Sequence, residues 1–185
     1  MGLHAKLKKC IFHVQSVNYL GFRITGEGIS MENDLIQTIK EWPTPKRVRD
    51  VQAFLGTAGV YRRFVPRYSH IAKSLTDMTK KGKVFHWGSK EQAAFEKIKS
   101  EFVPGRILLH FDPKKQVVVY TDASKDAASG ILYQKDDNRR LRPVIIWSKS
   151  LARVSADILP RIRSSWRLYG PWRDLDRMWK ELNTR

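Results

Sequence analysis

The stretch Val117-Val118-Val119-Tyr120-Thr121-Asp122-Ala123-Ser124 decides how the second half of this chain folds. Val117 to Tyr120 are four β-favouring residues in a row, of types that pack well on a pleated surface. Polar Lys114-Lys115-Gln116 and Lys125-Asp126 bound the run on either side. A short apolar run closed by such residues predicts a buried strand, with Asp122 near its end. A buried carboxylate there needs a pairing group or a cation. An Asp at a strand end also suits the turn that follows. The residues alone leave both readings open.

Working outward, two more strands are predicted downstream, Gly130 to Gln134 and Pro143 to Ser148, with Lys135-Asp136-Asp137-Asn138-Arg139 as the turn between them. Three such strands, the first two in hairpin order, call for a helix over one face. Upstream, the period changes. Leu35, Ile36, Ile39 and Trp42 stand at helical spacing before Pro43, and Thr44-Pro45 offers an N-cap and first-turn proline for a stripe of Val48, Val51, Phe54 and Leu55. Gly56 and Gly59 weaken that helix ahead of Tyr61-Arg62-Arg63-Phe64 and Pro66. Helical faces recur at Ile71, Leu75 and Met78 and at Ala94, Phe95, Ile98 and Phe102, with the basic loop Lys80-Lys81-Gly82-Lys83 between them. Residues 31–102 therefore read as a compact helical unit. Before it, Lys9 to Ile29 reads as two strands joined by a turn, broken at Gln15-Ser16 and Gly26-Glu27-Gly28. The fold class expected is α+β.

Composition bounds the function. Hydrophobic residues make up 42% of the 185, enough for a packed core, while 35 Lys and Arg against 18 Asp and Glu give a net charge of +17. Such an excess is the electrostatic footprint of a polyanion binder, although a merely soluble basic surface has the same count. Arg62 and Arg63 between Tyr61 and Phe64 combine phosphate-pairing guanidiniums with rings, and equally fit a solvated face above two core aromatics. A single cysteine, Cys10, excludes an internal disulfide and a cysteine zinc site and points to a reducing, intracellular setting. No apolar run approaches the ~18 residues that span a bilayer, and the start has no signal-peptide character, so neither membrane insertion nor secretion is expected.

Together, Lys9-Cys10-Ile11-Phe12, Val17-Asn18-Tyr19-Leu20-Gly21-Phe22, Gly28-Ile29, Trp42-Pro43-Thr44-Pro45, Phe54-Leu55-Gly56, Tyr61-Arg62-Arg63-Phe64, Ile71-Ala72-Lys73-Ser74-Leu75-Thr76, Phe85-His86-Trp87, Ala94-Phe95, Thr121-Asp122-Ala123-Ser124 and Pro143 resemble the reverse transcriptase of gypsy-type long-terminal-repeat retrotransposons. The resemblance covers roughly residues 9–158. It implies that 1–30 is the palm-end hairpin, 31–112 a helical thumb and tether, and 113–158 the opening three strands of an incomplete RNase H-like domain. It implies a helical unit that grips the template-primer duplex, so that nucleic-acid contact is expected at Tyr61, Arg62, Arg63, Lys80 and Lys81, and it makes Asp122 the first of four Mg²⁺-binding carboxylates. That chemistry uses two ions about 4 Å apart, which one carboxylate cannot hold. The partners implied are RNA–DNA hybrid or duplex and the rest of the polyprotein.

The departures matter as much. The palm's catalytic Asp pair has no counterpart here, and Tyr133-Gln134-Lys135-Asp136-Asp137 has the wrong spacing for it and sits at a predicted turn. Residues 159–185 leave the family pattern. Reverse-translated with Arg163 as AGG, Ser164 as AGC, Ser165 as TCC and Trp166 as TGG, and regrouped one base earlier, they yield Glu-Leu-Leu-Ala, the core of the family's next helix with its second metal ligand. The tail thus reads as frameshifted. The expectation is a reverse transcriptase and RNase H fragment, catalytically incomplete and with no functional Mg²⁺. The alternatives are a nucleic-acid binding module without catalysis and an inert product of a decaying element.

Overall fold

The computed structural model describes residues 6, 10–124 and 126–150. The frameshifted-tail reading at residues 159–185 lies outside them. Two antiparallel sheets flank a set of helices. The first sheet has the order β1 (Ser16–Tyr19), β2 (Phe22–Thr25), β3 (Gly28–Met31), β4 (Leu108–Leu109). Where two strands and a break at Gln15-Ser16 are expected, there is a three-strand meander in which Ser16 opens β1 and Gly28 opens β3. The first turn is Leu20-Gly21, since Tyr19 pairs with Phe22. Both turn residues have positive φ, 50° and 77°, as a two-residue type I′ turn requires, and glycine meets that demand without strain. Gly28 serves differently: a Cβ there would stand 2.2 Å from the Leu108 carbonyl oxygen, so only a bare backbone lets β3 and β4 approach.

The helices are α1 (Asn33–Lys40), α2 (Val48–Val60), α3 (Tyr68–Ile71), α4 (Lys73–Met78) and α5 (Ser89–Glu101), with a 3-10 turn at Arg62–Phe64. Two boundaries differ from expectation. Thr44-Pro45 does not cap α2. The helix starts at Val48 behind an extended Arg47, whose side chain, with the Lys46 backbone amide, is bonded to the Asp50 carboxylate. At the other end α2 runs through Gly56 and Gly59 to Val60, because Val51, Phe54 and Ala58 are buried along one face and that packing outweighs the glycine penalty. Trp42, Phe54, Phe95 and Trp87 form a chain of ring contacts at the centre of a core that also takes in Ile39, Leu75, Ile98 and Phe102.

The second sheet is β5 (Val117–Ala123), β6 (Ala127–Lys135) and β7 (Leu141–Ser150), in that order. The strands outrun their expected lengths. Ser124 closes the first hairpin tightly, its backbone amide donating to the Ala127 carbonyl at 2.9 Å and its Oγ accepting from the amides of Asp126 and Ala127. Pro143 is accommodated at a register shift opposite Tyr133 in β7, where a missing N–H is tolerated. Val119, Leu132 and Val144 make a second core, against which Leu109 and Phe111 pack. Ile146 of β7 instead joins the helical core, so helices and second sheet are packed together. Among the described residues no helix is long and apolar enough to cross a membrane.

Candidate nucleic-acid interface and the Asp122 junction

Asp122 lies within β5, opposite Ser129, and its side chain is 55% exposed. Of its two expected needs, a pairing group or a cation, it has the first. Arg67 Nε stands 3.0 Å from the Asp122 Oδ2 in an ion pair. Arg67 precedes α3 in the left-handed conformation, φ 57°, an uncommon state for a residue with a Cβ. Six residues further on, at the start of α4, Lys73 Nζ meets Asp126 Oδ1 at 3.2 Å. Between these ion pairs Ser69 donates from both its backbone amide (3.0 Å) and its Oγ (3.1 Å) to Ser148 Oγ on β7. The junction between helices and second sheet is therefore polar at its rim and apolar beneath, where Ile146 is buried.

His70 sits inside this junction. Its Nδ1 is 3.5 Å from Ser124 Oγ, and its buried Nε2 has no hydrogen-bond partner among the described residues. Burial first, and the Arg67 guanidinium second, lower its pKa from the usual 6.5, against opposing pulls from Asp122 and Asp126. The folded chain thus favours neutral imidazole, while the unfolded chain takes up a proton near the usual value. The stabilisation is present above pH 6.5 and is lost as pH falls below it. His70→Gln, compared with the parent in thermal melts at pH 7.5 and pH 5.5, is expected to lose less stability on acidification. Equal losses would show that the ring is solvated in both states.

Asp122 is engaged by a guanidinium, and among the described residues no three His, Cys, Asp or Glu side chains group to hold a metal ion.

The residues expected to meet nucleic acid separate into two kinds. Arg62 and Arg63 are exposed on the 3-10 turn, and Arg63 lies over the Phe22 ring, 5.6 Å from its centroid. Tyr61 departs from the expected role. It is buried, it donates from its hydroxyl to the Leu20 carbonyl at 2.8 Å, and its ring packs on Phe22 at 5.0 Å. With Phe64 also buried, both aromatics of the tetrapeptide anchor the turn that displays the two arginines. Lys80 and Lys81 are exposed beyond α4, with Lys80 at 2.5 Å from Asp77, whose carboxyl is held below its usual range by that hydrogen bond. Tyr68, buried at the start of α3, has its hydroxyl pKa pushed up to about 12 by desolvation. Arg67, Lys73 and Asp126 did not stand out from the sequence, since nothing local marks which surface lysine or arginine faces a carboxylate 50 residues on.

Comparisons with known proteins bear on the same region. The sequence model of the RNase H-like domain found in reverse transcriptase matches residues 87–158, a span that takes in α5 and β4 as well as β5 to β7. The transposon Tf2-3 and Tf2-4 polyproteins of Schizosaccharomyces pombe are each 31% identical over 146 residues, covering 79% of this chain. The chain spans 11% of the length of these curated relatives. A structure of the foamy viral protease–reverse transcriptase in complex with double-stranded DNA superposes with a TM-score of 0.65 at 25% identity, over 95% of this chain and 35% of that one. The same viral protein in complex with RNA/DNA hybrid gives 0.60 at 26% identity, over 75% of this chain and 19% of that one.

Proposed function

We infer that this chain, which is homologous to Tf2 retrotransposon polyproteins and foamy viral reverse transcriptase and carries an RNase H-like domain of the reverse-transcriptase kind at residues 87–158, is a nucleic-acid binding portion of a gypsy-type reverse transcriptase and RNase H region. In this reading β1 to β3 are the end of a palm, α1 to α4 a thumb, α5 the helix that leads into the RNase H-like fold within the matched span, and β5 to β7 its first strands. The chain grips RNA–DNA hybrid or duplex by its phosphates, holds no functional Mg²⁺ and cleaves nothing by itself.

The observation that carries the binding is the Arg62-Arg63 turn, whose guanidiniums are displayed to solvent while Tyr61 and Phe64 are buried beneath. Such a turn supplies sequence-independent phosphate contacts. A net charge of +17 adds the field that draws a polyanion in, and solved neighbours include complexes with double-stranded DNA and RNA/DNA hybrid. The expected absence of cleavage rests on the ligand set, because two-metal hydrolysis needs several carboxylates together and among the described residues Asp122 has no such group around it.

The test is a titration of a labelled RNA–DNA hybrid at several salt concentrations. With about five phosphates neutralised, log K is expected to fall against log salt with a slope of roughly −4 to −5 and little sequence preference. Addition of Mg²⁺ or Mn²⁺ is expected to release no labelled RNA. Absence of binding at the lowest salt overturns the first half of the reading, and metal-dependent release that vanishes in Asp122→Asn overturns the second.

A further inference from the structure

We propose that Asp122 and Asp126 act as internal stand-ins for phosphate, holding Arg67 and Lys73 against the second sheet so that these two cations join the nucleic-acid contact only when a polyanion displaces the carboxylates. The proposal rests on the binding reading above and assigns that site a built-in restraint. Arg67 and Lys73 continue the same stretch that displays Arg62 and Arg63, through the short helices α3 and α4. A guanidinium or ammonium 3.0 to 3.2 Å from a carboxylate oxygen makes the contact it would make to a phosphate oxygen, so one interaction excludes the other.

The exposures fix which way the competition goes. Side-chain exposures of 61% and 55% for Arg67 and Asp122, and 48% and 40% for Lys73 and Asp126, leave all four groups open to solvent. Exposed pairs of this kind hold each other weakly and are screened by salt, whereas a duplex offers a dense row of phosphates with counterions to release. Opening the two pairs does not undo the junction. The Ser69–Ser148 hydrogen bonds and the buried Ile146 remain to hold sheet to helices. The carboxylates are thus removable without loss of the fold, and each one removed frees a cation.

The experiment measures hybrid binding against salt for the parent chain, for Asp122→Asn with Asp126→Asn, and for Asp34→Asn with Glu41→Gln, a pair of the same charge change at α1. The junction variant is expected to bind more tightly than the α1 variant by about tenfold or more at 0.1 M salt, with a slope steeper by up to about 2, since each added phosphate contributes roughly 0.9 to the slope. Adding Arg67→Ala and Lys73→Ala to the junction variant is expected to erase that gain. A junction variant that matches the α1 variant, or a gain that survives the loss of Arg67 and Lys73, overturns the proposal. Failure of every form to bind hybrid instead overturns the binding reading itself, and a junction variant that binds where the parent does not supports the restraint. Circular dichroism checks the fold. Should the double variant lose it, Asp126→Asn alone, paired with Lys73→Ala, is expected to show about half the gain.

Discussion

Replacing Arg62 and Arg63 together with Ala is expected to flatten the salt dependence of hybrid binding by up to about two units of log K per log salt, and to weaken binding at 0.1 M salt by roughly 10- to 60-fold. The loss is expected for all sequences alike, because phosphate contacts position a protein without reading bases. Both residues project from a turn whose own stability comes from buried Tyr61 and Phe64, so the double substitution removes charge and leaves the scaffold. The two arginines are not equivalent. Arg63 already lies over the Phe22 ring, an interaction worth about 0.5–1 kcal/mol at an exposed site, while a charge-assisted bond to phosphate is stronger. A slope change of about one unit would assign the contact to Arg62 alone. No change in slope or affinity, in a variant whose circular dichroism matches the parent, would make both residues a solvated face with no ligand.

Phe54→Ala is expected to destabilise the fold by about 3–5 kcal/mol, the range for deleting a fully buried ring whose cavity cannot collapse. Phe54 has no exposure and touches Phe95 at 4.6 Å and Trp42 at 5.8 Å between ring centroids. In a chain of this size the change corresponds to a fall in Tm of roughly 6–20 °C. Tyr120→Ala, at a site 57% exposed, serves as the comparison and is expected to cost about 1 kcal/mol or less. Melts followed by circular dichroism give both values. A Phe54→Ala variant melting within about 2 °C of the parent would show that the rings do not close the core as described. Since α2 leads directly into the Arg62-Arg63 turn, heating that melts the variant should abolish hybrid binding in the same temperature range.

The helical faces were legible because burial and periodicity coincide: Ile39, Val51, Phe54, Leu75, Phe95 and Ile98 stand at 3.6-residue spacing in the sequence and at the core in the structure. The strand at Val117 was legible from its run of β-favouring residues, but not its burial: of that run only Val119 is buried and Tyr120 faces solvent. What was not legible depends on partners far along the chain. The two residues of β4, Leu108 and Leu109, carry too little pattern to announce a strand and exist as one only by pairing with Gly28 and Ile29. The third strand of the first meander was hidden because Gly28 reads locally as part of a turn, whereas the close approach of Leu108 selects glycine there. Thr44-Pro45 has the local chemistry of a helix start, and the Arg47–Asp50 contact three residues on sets the start instead. At the site, residue types made Asp122 and the two arginines visible. The sequence held no sign that Arg67 would take the carboxylate, nor that the Tyr61 ring would turn inward, since both outcomes depend on tertiary neighbours at Asp122 and Phe22.

The pairing of β3 with β4 also bears on how the chain reaches its fold during synthesis. The first three strands leave the ribosome as a meander whose last strand has an open edge, and residues 32–107 must follow before Leu108 and Leu109 can occupy it. Closing so long a loop is entropically expensive in an open chain, though the penalty grows only with the logarithm of length. Collapse of α1 to α5 shortens the distance to be closed, so the helices are expected to order before the four-stranded sheet is complete. Until then the long β3 edge is available for pairing with another nascent chain, and pairing with β4 covers it, leaving β1 and the two-residue β4 as the edges of the finished sheet.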